Sequence, residues 1–78
     1  MWYVYVLRCK DGTLYVGYTR NLRKRIQEHK NGSVKYTKTR LPVKVIWIGV
    51  FLSKKKAVLF EKYLKSGSGK AFLKKRLI

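Results

Sequence analysis

The chain has 78 residues, and its 20 lysines and arginines against three acids give a formal net charge of +17. This length accommodates one small core, so we expect a single domain over residues 1–78. The composition excludes intrinsic disorder, because disordered chains are poor in the apolar and aromatic residues that here make up 46% and 14% of the sequence. The charge favours a polyanionic partner, with nucleic acid ahead of an anionic membrane surface.

The cysteine content and the apolar segments bear on the cellular compartment. Cys9 is the single cysteine, so it cannot form an internal disulfide, and one Cys with one His cannot form a zinc site. The longest apolar run, residues 45–52, is far shorter than the about 20 residues of a membrane-spanning helix. The N-terminus lacks the basic segment and cleavage site of a secretory signal. We therefore expect a cytoplasmic protein with no structural metal and no membrane partner.

The first residues predict a β-hairpin. Residues 2–9 and 13–18 are rich in β-branched and aromatic side chains, and Lys10-Asp11-Gly12 between them is typical of a turn. With Gly12 in the left-handed conformation, the loop has three residues and a bulge, and Cys9 faces Thr13.

This register determines which side chains share a face of the sheet. Tyr5 then faces Gly17, Leu7 faces Tyr15, and strict alternation puts Tyr3, Tyr5, Tyr15 and Gly17 on one face. Tyr5 and Tyr15 become diagonal neighbours, about 7–8 Å apart at most. Gly17 is expected to leave an empty patch opposite Tyr5 where another group can approach. A two-residue loop would separate the two tyrosines, so the predicted pocket depends on the bulge.

The remaining elements are a third strand and three helical segments. In chain order, the sequence predicts a helix over 22–30 with Asn21 as its N-cap and Asn31-Gly32 as its stop, a loop over 33–42, a strand over 43–52, a helix from Ser53 to about Lys65, a break at 66–69 and a short helix over 70–77. The Ser-Gly-Ser-Gly break is more typical of a flexible connector than of a phosphate-binding loop, because it follows a helix.

The first helix carries two polar residues on its apolar face. The i, i+3, i+4, i+7 spacing groups Arg25 and His29 with Leu22 and Ile26. The alternative is that Arg25 and His29 are solvated residues at the edge of an amphipathic helix. The tyrosines, likewise, can be ordinary core and sheet-surface residues.

The second long helix carries an acid in a similar position. The same spacing places Glu61 beside Ala57, Phe60 and Leu64. Because the chain has so few acids, an acid on an apolar face favours a functional role. The alternative is an i, i+4 ion pair with Lys65, which stabilises a helix by a few tenths of a kcal/mol.

Several basic residues are candidates for contact with nucleic acid. They are Lys24 and Arg25 of the first helix, the run Lys54-Lys55-Lys56, and Lys74-Lys75-Arg76. Runs of this kind usually form solvated faces, but the overall charge favours phosphate contacts.

The ordered set of motifs resembles the GIY-YIG nuclease domain. Tyr3-Val4-Tyr5 and Tyr15-Val16-Gly17 match the two tyrosine motifs, Arg25 and His29 follow at the expected spacing, and Glu61 lies on a later helix. The resemblance covers roughly residues 2 to 65 and is strongest to short single-domain members related to the N-terminal nuclease module of bacterial excinuclease. Tyr3 stands where the first motif glycine would be. In several members a polar residue, often asparagine, follows the glutamate, and here the candidates for it are Ser66 and Ser68.

The resemblance implies an α+β fold, with a small three-stranded antiparallel sheet flanked by helices, and a divalent-metal-dependent endonuclease that cleaves DNA. It implies Tyr5, Tyr15, Arg25, His29 and Glu61 as the catalytic set, with Arg25 on the phosphate and Glu61 as the ligand of Mg²⁺ or Mn²⁺. We expect Tyr5 to act as the base, Tyr15 to act as its partner or to position water, and His29 to shuttle protons. Positive charge nearby and the metal ion are expected to favour the phenolate form of tyrosine.

Two other classes of function fit the same sequence. One is a non-catalytic nucleic-acid-binding module with this fold, and the other is a nuclease subunit that is active only with a protein partner. The substrate is expected to be DNA, with RNA as the alternative, and to be selected by its shape or by being single-stranded instead of by its base sequence. The implied biological setting is DNA repair or recombination.

Overall fold

The computed structural model describes residues 1–76, which form a three-stranded antiparallel sheet and four helices. The strands are β1 (Trp2–Arg8), β2 (Leu14–Thr19) and β3 (Lys44–Phe51), and the helices are α1 (Leu22–Lys30), α2 (Lys35–Lys38), α3 (Lys54–Lys65) and α4 (Gly67–Arg76). The predicted α+β class is confirmed. Within residues 1–76, no helix is both long enough and apolar enough to cross a membrane.

The hairpin between β1 and β2 has the predicted loop. The Cys9 amide donates to the Thr13 carbonyl at 2.9 Å, and the Gly12 amide donates to the Cys9 carbonyl at 3.0 Å. Gly12 has φ +86°, the left-handed conformation that glycine adopts without steric cost. The resulting register pairs Tyr5 with Gly17 and Leu7 with Tyr15, as predicted.

The sheet has the strand order β2-β1-β3, so β1 is central and β2 lies at an edge. Successive side chains of a strand point to opposite faces of the sheet, and each face forms its own hydrophobic core. Val4, Val6 and Val16 pack with residues of α3 and α4 on one face. Tyr5 and Leu7 pack on the other face with Tyr15 and the apolar residues of α1. Helices therefore cover both faces of the sheet.

Two segments differ from the sequence prediction. The predicted loop over 33–42 contains α2, which buries Thr37, and Val34 just before it is buried as well. The Ser-Gly-Ser-Gly segment is not a connector, because α4 begins at Gly67, directly after Ser66. The Ser66 hydroxyl accepts a hydrogen bond from the Gly69 amide at 3.2 Å and so caps the new helix. Leu77, the predicted last residue of the terminal helix, lies outside the described residues.

The start of α4 gives a test of this packing. Gly69 is buried, and a Cβ there would overlap the Tyr63 carbonyl oxygen and lie 2.5 Å from the Leu64 Cα. Gly69→Ala should therefore lower the free energy of unfolding by about 1–3 kcal/mol, measured by urea denaturation.

Gly67→Ala is the matched control, because nothing lies within 4 Å of its added Cβ. It should leave the stability unchanged or raise it by up to about 1 kcal/mol through helix propensity. Equal small effects of both substitutions would show that the segment is a loose connector after all.

Candidate active site

The two motif tyrosines lie side by side on the face of the sheet that α1 covers. Their ring centroids are 6.2 Å apart and their planes are inclined by 29°. Tyr5 is fully buried, whereas Tyr15 is partly exposed. The empty patch predicted opposite Tyr5 does not exist: the end of the Tyr5 ring fills it, since a Cβ on Gly17 would lie 2.5 Å from the Tyr5 hydroxyl oxygen. Glycine at this position makes room for the hydroxyl itself.

A buried chain of hydrogen bonds runs from Tyr5 through His29 to Thr37. The Tyr5 hydroxyl lies 2.9 Å from His29 Nε2, and His29 Nδ1 lies 2.8 Å from Thr37 Oγ1. Thr37 Oγ1 in turn donates to the Val34 carbonyl at 3.5 Å. Because that bond uses the threonine proton, Thr37 accepts from Nδ1–H, and the bare Nε2 of a neutral imidazole accepts from Tyr5. The sheet, α1 and α2 thus set one tautomer of His29.

Burial controls the protonation of this chain. It raises the pKa of Tyr5 from 10.0 to about 12, although the neighbouring Arg25 guanidinium acts in the opposite direction. The part of the expectation that rests on positive charge is therefore wrong for Tyr5, because loss of hydration outweighs the charge of Arg25. Burial, and then the charge of Arg25, lower the pKa of His29 from 6.5 to about 4. At neutral pH both groups are uncharged.

Arg25 faces the tyrosine pair from α1. Burial lowers the pKa of Arg25, but its hydrogen bonds with Tyr5 and Glu28 outweigh burial and leave the pKa above its ordinary value. The guanidinium is therefore always charged. Its Nη1 lies 3.3 Å from Glu28 Oε1. Glu28 therefore helps to hold Arg25 in place. About a third of each of the two side chains remains accessible to solvent.

Glu61 approaches the same place from α3, on the opposite face of the sheet. It lines a depression of about 320 Å³ together with Tyr5, Tyr15, Gly17, Tyr18 and Arg25. Its side chain is 12% exposed, and Oε2 lies 2.7 Å from Lys65 Nζ. The i, i+4 ion pair with Lys65, which was the alternative to a functional role, is therefore present. Glu61 nevertheless also lines the depression that holds the tyrosines and the arginine. The depression crosses the edge strand β2, where side chains from both faces converge.

The donor set at Glu61 fits one hard divalent cation. No group of three or more His, Cys, Asp or Glu that could hold a metal exists within residues 1–76, so the protein does not form a closed metal cage there. Mg²⁺ is commonly held by one or two carboxylates, with water and substrate phosphate completing its shell. A carboxylate that is 12% exposed, in an open depression that also holds Arg25, matches that requirement.

The predicted site residues divide into two groups. Tyr5, Tyr15, Arg25 and Glu61 line the depression, and His29 lies directly behind Tyr5. Lys24 and the run Lys54-Lys55-Lys56 are exposed and do not line it. Their contact with nucleic acid stays a prediction for the surrounding surface.

Sequence reasoning missed Thr37. It lies in the segment predicted as a loop, and no hydrophobic period extends through residues 33–42 to suggest that one side chain is buried. The available signal was weak: Val34 and Thr37 are small uncharged residues spaced by three in a basic stretch, which is the spacing of one helical face.

Comparison with known proteins agrees with this geometry. The fold and the site define a nuclease-type α+β domain, and the profile of the GIY-YIG catalytic domain matches residues 1–76. The chain therefore belongs to the GIY-YIG family.

Within that family it is similar to the UPF0213 proteins. A UPF0213 protein of Bacillus licheniformis is 48% identical over 69 residues, which cover 87% of this chain and 71% of that protein. One of Clostridium perfringens is 50% identical over 64 residues, covering 81% of this chain and 69% of its own. The solution NMR structure of a UPF0213 protein from Bacillus halodurans has a TM-score of 0.61 and 39% identity, and the match covers 96% of this chain and 84% of that one.

The low pKa of His29 predicts an acid-sensitive stability. The folded chain holds His29 neutral down to about pH 4, whereas the unfolded chain protonates it near 6.5. The unfolded state therefore binds more protons between these values, so the free energy of unfolding should fall as the pH falls through this window, by roughly 3 kcal/mol in total.

Urea denaturation at intervals from pH 7 to pH 4 measures this slope. His29→Gln, which has no titrating side chain, is the control and should remove most of the slope. Asp11 does not produce this slope. Its hydrogen bonds with Thr13 lower its pKa from the usual value of 3.8, so its effect on the free energy of unfolding falls at a pH below the window. Equal slopes for the two proteins would contradict the assignment of a buried neutral His29.

Proposed function

We propose that this protein is a divalent-metal-dependent endonuclease that hydrolyses phosphodiester bonds in DNA and selects its substrate by structure. The observation that carries the proposal is the hydrogen-bonded series Tyr5–His29–Thr37 ending in the depression that also holds Arg25 and Glu61. The depression supplies the three functions that such a hydrolysis needs: a proton acceptor for water, positive charge on the phosphoryl oxygens and a place for a metal ion. A setting in DNA repair or recombination is part of the proposal and is suggested by the resemblance to excinuclease.

Substrate binding is assigned to Arg25 and to the positive field of the whole chain. A guanidinium can form two parallel hydrogen bonds to phosphate oxygens, and Arg25 is already fixed by Glu28. The net charge of +17 attracts the phosphodiester backbone at long range. Contacts of this kind position the strand without reading its sequence.

The metal is assigned to Glu61. One carboxylate of the depression would hold Mg²⁺ or Mn²⁺, and the bound ion would neutralise charge on the phosphoryl oxygens. For this to happen Lys65 has to release Glu61, which its own exposure of 54% permits.

Water activation is assigned to the two phenols acting in series. Tyr15 is the outer, partly exposed phenol, so its hydroxyl holds the water, and its interaction with the Tyr5 hydroxyl contributes to the raised pKa of Tyr5. As the water oxygen bonds to phosphorus, the water proton passes to Tyr15, that of Tyr15 to Tyr5, and that of Tyr5 to His29 Nε2. The bond from phosphorus to the leaving oxygen breaks, and this oxygen takes a proton from solvent at the open side of the depression. No free phenolate is needed, which agrees with the high pKa of Tyr5. Thr37 holds His29 in the tautomer that can accept.

A second candidate is favoured by one observation. The Glu61–Lys65 ion pair neutralises the carboxylate that would bind the metal, which is the state expected of a nucleic-acid-binding module that has lost catalysis, or of a subunit that needs a protein partner. The experiment below separates these functions from a self-sufficient nuclease.

Glu61→Gln should abolish metal-dependent nicking. The amide keeps the shape of the side chain but removes the charge that would hold the cation. Nicking of plasmid, branched and single-stranded DNA is measured with Mg²⁺, with Mn²⁺ and with EDTA, and DNA affinity is measured in EDTA. We expect the nicking rate to fall at least about 100-fold, while the affinity stays equal or rises slightly because the surface loses a negative charge.

Asp11→Asn is the matched control, since it makes the same change of charge in the hairpin turn, away from the depression. It should nick at the wild-type rate. Glu61→Gln nicking at that rate would end the metal assignment, whereas a wild-type protein that binds DNA but never nicks it would support the binding-module function. Nicking that appears only after addition of cell extract would indicate the partner-dependent function.

Tyr5→Phe should slow the hydrolysis without weakening DNA binding. The change removes one hydroxyl from the centre of the proton pathway, and loss of a positioned proton acceptor costs about 100- to 10,000-fold in rate. Single-turnover nicking and anisotropy titration separate the two effects. His29→Gln should show a similar loss of rate, and a Tyr5→Phe protein that nicks normally would assign proton transfer to Tyr15 without Tyr5.

A further inference from the structure

A second cavity, here called the edge cavity, lies next to the candidate active site. It has a volume of about 490 Å³ and is lined by residues 12–16 of the hairpin, by Tyr36 of α2, and by residues of α3 and α4. Consecutive residues of a strand point to opposite faces of a sheet, so a cavity that contacts all of residues 12–16 runs along the free edge of β2. Its size falls in the range of small-molecule sites, about 300–1,000 Å³.

The edge cavity and the depression are neighbours with a shared wall. Tyr15 lines both of them. On α3, Glu61 lines the depression and Lys65, one helical turn further, lines the edge cavity, and the two are joined by their ion pair. A linear ligand that has one group in the depression can therefore place its next group in the edge cavity.

The walls of the edge cavity suit a flat, apolar-faced group. Leu64 and Leu73 form its floor and are almost fully buried. Tyr36 forms one side, with 43% of its surface exposed, and its ring centroid lies 5.4 Å from that of Tyr15. The Arg40 guanidinium lies 4.3 Å from the centroid of the Tyr36 ring and supports it. Exposed aromatic rings of this kind are platforms on which nucleobases stack.

The rim of the edge cavity is basic. Lys65, Lys70 and Lys74 lie around it, and no acidic residue lines it within the part of the chain that the structure describes. An apolar interior inside a cationic rim matches a nucleotide, whose base is flat and whose phosphates are anionic. It does not match a free β-strand of another protein, for which the lysines would have no partner.

We propose that the edge cavity binds one unpaired nucleobase of the DNA strand whose adjacent phosphate lies in the depression. This rests on the proposed nuclease function and names its substrate class: a strand with at least one unstacked base beside the bond to be cleaved, as in a flap, a gap or single-stranded DNA. A base inside a duplex cannot reach the cavity without leaving its stack, which costs free energy. The structure selectivity of the protein then comes from the edge cavity.

The test compares DNA that can fill the edge cavity with DNA that cannot. Affinity is measured by fluorescence anisotropy in EDTA, so that no cleavage is required, for a single-stranded oligonucleotide and for the same phosphate chain with abasic sites. Wild-type protein should bind the base-bearing strand about ten-fold more tightly. Tyr36→Ala should lose this preference and keep its affinity for the abasic strand.

Tyr63→Ala is the matched control, because Tyr63 is exposed to a similar extent, 42%, and does not line the edge cavity. It should keep the ten-fold preference, and thermal melting of both variants shows that they are folded. Lys70→Gln should weaken binding of both strands equally and reduce the salt dependence of the affinity.

Three results would overturn the proposal: equal wild-type affinity for the two strands, a Tyr36→Ala protein that retains the preference, or a solution dimer whose dissociation is needed before the oligonucleotide binds. Nicking of the same oligonucleotides with Mg²⁺ is measured separately. Nicking without any preference for bases would refute the edge-cavity assignment and leave the nuclease function standing. A base preference without nicking would refute the nuclease function while the cavity still binds the base.

Discussion

The hydrogen bond between the Tyr5 hydroxyl and His29 Nε2 is the contact on which the site depends. It is buried and joins the central strand to α1 across 24 residues of sequence. A buried polar group without a partner costs about 1–3 kcal/mol, and breaking this bond would leave two such groups. Three other features make this hydrogen bond possible. Gly17 leaves room for the Tyr5 hydroxyl, burial keeps the His29 imidazole neutral, and Thr37 fixes the tautomer of His29. The same arrangement that stabilises this part of the core also places a neutral imidazole directly behind the depression.

The second constraint is the shortage of negative charge. Each of the three acids pairs with a cation: Asp11 with Arg40, Glu28 with Arg25 and Glu61 with Lys65. Arg25 of one pair and Glu61 of another line the depression, so two of the three acids orient cations at the site. Most of the positive charge of the chain has no acidic partner within the described residues. The Glu61–Lys65 pair also explains how a carboxylate that is only 12% exposed is accommodated. An unpaired charge so deeply placed would be costly.

Much of this site could be predicted from the sequence because it depends on short-range periodicity. Alternation in the hairpin and the left-handed glycine determine that Tyr5 and Tyr15 share a face, and helical spacing places His29 and Glu61 on buried faces. The parts that could not be predicted depend on tertiary contacts. The Ser66 cap and close packing against α3 override the flexible composition at the start of α4. Thr37 has a role only because α2 folds under His29, and the direction of the Tyr5 pKa shift depends on how far its ring is buried.

The location of the site follows from the size of the domain. Both faces of a three-stranded sheet are needed to form the core of so short a chain, and helices cover both of them. Polar groups from the two faces can therefore meet at the edge of the sheet, and they do so at β2, where the tyrosines come from the α1 side and Glu61 from the α3 side. An edge site is open along the direction of the strand, so a ligand that lies in it extends past Tyr15 toward the lysines of α3 and α4. Under the proposed function, the selectivity of so small a domain comes from the shape of the strand that fits along one edge of its sheet.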